Sequence, residues 1–137
     1  MLIRLVYVSH EVRPLTTADL DALLEESRRN NARLEVTGML LYHDGDFMQV
    51  LEGEEEAVRE IYRRIVADPR HSGILVLDDT PVPDREFAGW WMGFRRVERG
   101  EIPQGFTDFF NRDLDPETMG RGGDAILFLR SFKRSAR

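Results

Sequence analysis

Along LIRLVYVS, residues 2–9, apolar positions alternate in a way that predicts a first strand. Ile3, Leu5, Tyr7 and Ser9 share one face, and Leu2, Arg4, Val6 and Val8 the other. After Pro14 the period lengthens. Thr16 or Thr17 caps a helix that contains Leu20, Leu23 and Leu24, carries Asp19 in its first turn and fades near Asn30 and Asn31. LEVTGMLLYHDGDFMQVLEG then reads as two strands, about 34–43 and 46–52, turned by the hairpin dipeptide Asp44-Gly45. In the second of these, Phe47, Gln49 and Leu51 point one way and Met48 and Val50 the other. Gly53 ends it. EEEAVREIYRRIVADP is a helix with acids at its N-terminal end, arginines in its C-terminal half and Pro69 just beyond; Val58, Ile61, Tyr62, Ile65 and Val66 form its apolar stripe. SGILVLDDT gives a fourth strand and FAGWWMGFRRV a fifth, after a loop holding Pro81 and Pro83. The last third breaks at Asp-Pro and Gly-rich points and predicts two short helices, near Phe106 to Phe110 and near Asp124 to Phe132.

The resulting fold class is α+β: a ferredoxin-like βαββαβ arrangement with an additional fifth strand and a short helical tail. The expected division is a folded unit at 1–96 and a C-terminal extension at 97–137. In this arrangement strands 1 and 3 are central neighbours and both helices cover one face. Tyr7 and Gln49 then lie close together if both face the helices. A buried phenol and amide need polar company, because an unpaired buried polar group costs about 1–3 kcal/mol. Phe106, Phe109, Phe110, Ile126, Leu127, Phe128, Leu129 and Phe132 predict that the tail packs on the other sheet face, with any exposed subset forming a dimer or partner surface.

Composition narrows the function. A formal net charge of -6 argues against general binding to a phosphate backbone. The absence of cysteine excludes disulfides, thiol catalysis and cysteine-ligated metals. The N-terminus has no signal-peptide pattern and no stretch reaches the length of a membrane span, so a cytoplasmic location is expected.

The polar company for Tyr7 and Gln49 has candidates in Ser27, Asn30 and Asn31 on the first helix and in Arg64, Asp68, Arg70 and His71 around the end of the second. Each has a plainer reading. The Asn pair can be a helix stop, ADPRH a helix terminus, and the tryptophans of GWWMGF core or lid residues.

Taken together, LIRLVYVS, the helix ending SRRNN, VTGMLLY, FMQVLEGE, YRRIVADPRH and REFAGWWMGF resemble the BLUF domain, the sensor of blue light using FAD. Six dispersed segments coincide in order and spacing over about residues 2–96. The resemblance implies a flavin (FAD, with FMN or riboflavin as alternatives) between the two helices, over Tyr7 and Gln49. Tyr7 is then the electron donor to the photoexcited flavin and Gln49 the switching amide. Asn30 and Asn31 bond the ring edge, and Asn31 is the stronger assignment. Arg64 lies toward the phosphate side, supported by Asp68, Arg70 and His71. Trp90 and Met92 match the pair on strand 5 that reports the change.

Two positions depart from the family pattern. Glu35 stands where glycine is common, which bears on how the first helix ends, and Trp91 stands where a small residue is usual. Strand alternation puts Trp91 opposite to Trp90 and Met92, and which tryptophan faces inward stays open. No catalytic output domain fits after residue 97, so the expected action is in trans, on a protein partner or through self-association, without direct nucleic-acid or membrane binding. The rival readings are a phosphate-handling enzyme using Arg64, Asn31 and His71, and a light-independent adaptor. SHEVRPLTT offers no anion-binding nest for the first, and a yellow protein separates the photoreceptor from both.

Overall fold

The computed structural model describes residues 1–98, 126 and 129–133. Strand β1 (Leu2–Glu11) leads through α1 (Thr17–Leu34) to β2 (Thr37–His43) and β3 (Asp46–Glu54), then α2 (Glu55–Ala67), β4 (His71–Pro81) and β5 (Gly93–Arg96). The five strands form one sheet in the order β4-β1-β3-β2-β5. β1 runs antiparallel to both neighbours, β2 runs antiparallel to β3, and β5 adds to β2 in parallel. This is the predicted βαββαβ order with its fifth strand. No helix among the described residues is long and apolar enough to cross a membrane.

Each sheet face has its own core. Toward the helices, Ile3, Leu5, Tyr7, Leu40, Tyr42, Phe47 and Leu51 pack with Leu20 and Leu24 of α1 and Val58 and Ile61 of α2. On the opposite face, Val6, Met39, Leu41, Met48 and Val50 pack with Phe87, Val97, Ile126, Leu129 and Phe132. Ile126 and residues 129–131 are helical, so this part of the chain covers the face that α1 and α2 leave open. The helix predicted near Phe106 to Phe110 lies outside the described residues.

Local chemistry sets the element ends. Thr16 caps α1 in a capping box: its hydroxyl accepts from the Asp19 amide at 3.1 Å while the Asp19 carboxylate accepts from the Thr16 amide at 2.9 Å. The helix passes through Asn30 and Asn31 and ends at Leu34, later than their turn-forming character predicts. Glu35 forms the C-cap in the left-handed conformation, φ 56°, and its amide donates to the Ala32 carbonyl at 3.3 Å. β2 therefore starts at Thr37, three residues after the predicted boundary. Asp44 (φ 47°) and Gly45 (φ 85°) make the hairpin turn with both residues left-handed, as a two-residue turn of matching twist requires. β5 begins only at Gly93, so Trp90, Trp91 and Met92 belong to the connection before it.

Candidate functional site

Tyr7 and Gln49 are directly opposite each other in the β1–β3 ladder, 3% and 4% exposed. Their shared face meets the groove between α1 and α2. The Tyr7 hydroxyl donates to Gln49 Oε1 in a short hydrogen bond. Burial first, and then the nearby charges of Asp68 and Tyr62, push the Tyr7 phenol well above its usual range, so it stays protonated and acts as the donor. The Gln49 amide nitrogen faces Met92 Sδ at 3.3 Å. A thioether is a weak acceptor, which leaves this end of the amide weakly committed. A register shift in the β1–β4 pairing falls between Val6 and Tyr7, an irregularity beside the buried phenol.

Two adjoining cavities open over this pair. One is lined by Tyr7, Leu23, Ser27, Leu40, Phe47, Gln49, Ile65, Asp68 and His71. The other brings in Asn30, Asn31, Arg64 and Arg70 and shares Ser27, Gln49, Ile65 and Asp68 with the first. All nine of the predicted photochemical and cofactor-binding residues thus line one continuous groove. Apolar walls from Leu23, Leu40, Phe47 and Ile65 with a few convergent amides and hydroxyls suit a flat heteroaromatic ring, and the exposed Arg64 and half-buried Arg70 suit an attached phosphate.

The groups at its rim are held in place. Ser27, Asn30 and Asn31 lie three and four residues apart, on one face of α1. Asn31 is 1% exposed and its amide donates to the Trp91 carbonyl at 2.7 Å. Arg70 pairs with Asp68 at 2.6 Å and reaches Glu26 of α1 at 3.1 Å, closing the groove at one end. Burial opposes ionisation of Asp68, but the Arg70 guanidinium and amide outweigh it and hold the carboxyl below its usual range. His71 Nε2 faces the Ile65 carbonyl at 2.6 Å and must donate to it. In the neutral ring that leaves Nδ1 to accept from the Ser9 hydroxyl, 2.7 Å away.

The GWWMGF segment differs from strand alternation. Met92 turns toward the helices and is 2% exposed, whereas Trp90 packs on the opposite face, its ring 5.9 Å from that of Phe87 and edge-on to it. Trp91 is 43% exposed. Neither tryptophan lines the groove; the inward position belongs to Met92. The physical reason is that these residues precede the strand and bend at Trp91, so period-two alternation does not apply to them. Two contributors escaped the sequence reading: Ser9 as the partner of His71, and Arg28 as a donor to the Met92 carbonyl. Ser9 had a signal, since it alternates with Tyr7. Arg28 had none.

Sequence comparison gives this arrangement its family. Residues 2–93 match the model of BLUF, sensors of blue-light using FAD, and the chain belongs to that family. It is 38% identical over 87 residues to the photoactivated adenylate cyclase subunit beta of Euglena longa, covering 64% of this chain and 10% of that protein. It is 36% identical over 135 residues to the blue light- and temperature-regulated antirepressor BluF of Escherichia coli (strain K12), covering 96% of this chain and 33% of that one. The chain therefore spans a third or less of the length of these two relatives. The dark-state structure of BlrB, a BLUF protein, superposes with a TM-score of 0.76 at 36% identity, covering 98% of this chain and 96% of BlrB.

Proposed function

We propose that this chain is a blue-light photoreceptor whose switch is the Tyr7–Gln49 pair, set beneath FAD in the groove between α1 and α2. The observation that carries the reading is the buried hydrogen bond from Tyr7 to Gln49 at the floor of that groove. A bound flavin supplies visible-light absorption and, when excited, oxidising power. Everything else is the work of the chain. Ser27, Asn30 and Asn31 offer hydroxyl and amide groups along one edge, while Arg64 and Arg70, the latter steadied by Asp68, offer cations for phosphate. His71, fixed at both ring nitrogens, closes the wall beside Tyr7.

Tyr7 holds the mobile proton. Its phenol is oxidisable, and the hydrogen bond leads the proton to Gln49 Oε1. Gln49 is suited to a relay because one end of its amide accepts and the other donates, so rotation or tautomerisation exchanges those roles without moving the backbone. Met92, in contact with the amide nitrogen, senses the exchange, and the connection through Trp91 and Trp90 carries it to the other sheet face. The site is unchanged after a full cycle, so the output is a signal with no net turnover.

Residues 1–96 form the photosensory unit in this reading and 97–137 its extension. The similar proteins are named for an adenylate cyclase and an antirepressor, and by analogy this chain passes its signal to a downstream effector. The test is Gln49→Leu, which keeps the volume of the side chain and removes both ends of the amide. The expected variant binds flavin and loses the reversible light-induced red shift; a normal shift removes Gln49 from the mechanism.

A further inference from the structure

The carbonyls of Trp90, Trp91 and Met92 lie outside the β2–β5 ladder, whose register starts at Met39 opposite Gly93. Each nevertheless accepts a hydrogen bond. The Gly38 amide donates to the Trp90 carbonyl at 2.9 Å, Asn31 Nδ2 to that of Trp91 at 2.7 Å, and Arg28 Nε to that of Met92 at 3.0 Å. Two of the three donors are side chains of α1 three residues apart, a spacing that puts them on one face of the helix. The segment that carries Met92 is therefore strapped to the helix that forms one wall of the groove.

The contact between Met92 Sδ and Gln49 Nε2 does not hold Met92 by itself, because a thioether is a weak acceptor. The backbone tether is the stronger restraint, since its donor is a charged guanidinium. Arg29, the next residue, has the same charge but turns to Glu25 at 3.7 Å and leaves Met92 alone.

We infer that Arg28 is a positioning residue of the light switch: by tethering the Met92 backbone to α1 it holds the Met92 sulfur against the Gln49 amide in the dark arrangement. The inference rests on the photoreceptor reading above. Rotation of the Gln49 amide turns Oε1 toward the sulfur and sets two acceptors against each other. Met92 relieves that contact by retreating, and the tether opposes the retreat. Arg28 thereby destabilises the lit arrangement and speeds the return to the dark one.

The experiment compares purified, flavin-loaded wild type, Arg28→Ala, Arg28→Lys and Arg29→Ala. It follows dark recovery of the absorption spectrum, and, in the flavin-free proteins, hydrogen exchange of the Met92 and Gly93 amides. Arg28→Ala is expected to bind flavin and shift to the red, to recover about tenfold more slowly, and to exchange those amides about tenfold faster, the factor a charged hydrogen bond is worth. Arg28→Lys, which keeps the charge and an N–H donor, falls between, and Arg29→Ala matches wild type. Wild-type recovery and exchange in Arg28→Ala overturn the tether, as does an equal effect in Arg29→Ala. A wild-type protein without a red shift instead overturns the photoreceptor reading, and exchange in the flavin-free proteins then still decides the tether.

Discussion

At the scale of single residues, the site depends on two polar groups placed where hydrophobic patterning asks for none. Tyr7 and Gln49 face each other because a two-residue hairpin and a split βαβ order put β3 beside β1 in a fixed register. That pairing was legible in the sequence, since alternation gives the face and strand order gives the neighbour. The protonation of Tyr7 has a measurable consequence. Its folded-state pKa is raised by burial, so above about pH 10 the unfolded chain releases a proton that the folded one retains, and stability falls as pH rises. Tyr7→Phe is expected to remove about 1 kcal/mol of that decline between pH 10 and 11, measured by denaturant melts; an unchanged slope contradicts the buried phenol. Glu35 is a second residue-scale feature. Its left-handed C-cap suits glycine, and Glu35→Gly is expected to raise stability by about 1 kcal/mol. The departure from the family pattern was visible in the sequence, but its consequence for α1 was not, because the end of a helix is decided by cap geometry and not by the nearest turn-forming residue.

At the scale of elements, the connection between β4 and β5 matters more than its irregularity suggests. Glu52, 1% exposed, points to the sheet face opposite the groove and accepts from the amides of Glu86 at 2.6 Å and Phe87 at 2.8 Å. Burial raises its pKa, against the pull of those two amides. The same loop is held from its other side by Arg130, 2.6 Å from the Glu86 carboxylate, and by Lys133 Nζ, 2.6 Å from the Glu86 carbonyl. Glu52→Ala leaves both amides unpaired and is expected to cost about 1–3 kcal/mol. Because Phe87 packs on Trp90, it is also expected to alter tryptophan fluorescence; no change in either places the loop under other control. The partners of Glu52 lie 34 and 35 residues away in a loop without periodicity, beyond the reach of strand patterning. For the same reason the orientations of Trp90, Trp91 and Met92 escaped the sequence: alternation describes strands, and these residues precede one.

At the scale of the whole molecule, the sheet divides the chain into a groove face and a covered back. Gly38 and Gly93 permit close packing in β2 and β5: a Cβ at Gly93 comes within 2.4 Å of the Trp90 ring, and one at Gly38 within 1.9 Å of the Val50 carbonyl oxygen. Leu129 is fully buried on the back. Leu129→Ala is expected to lower unfolding free energy by about 2–5 kcal/mol, and a loss below about 0.5 kcal/mol marks a merely superficial contact. Magnitudes also bound the signal. One rearranged hydrogen bond is worth about 0.5–1.5 kcal/mol, whereas inverting a population from 1:99 to 99:1 takes about 5.5 kcal/mol. Moving a large apolar side chain such as Met92 between buried and exposed positions adds about 1.5–3 kcal/mol, so light is expected to bias the back face without fully inverting it. The central claim, that Tyr7 and Gln49 form a flavin-coupled light switch, is tested most directly by the absorption spectrum of the purified protein before and after blue light. The account predicts flavin bands that move slightly to the red and return in the dark; no flavin, a bleached flavin, or bands that do not move contradict it.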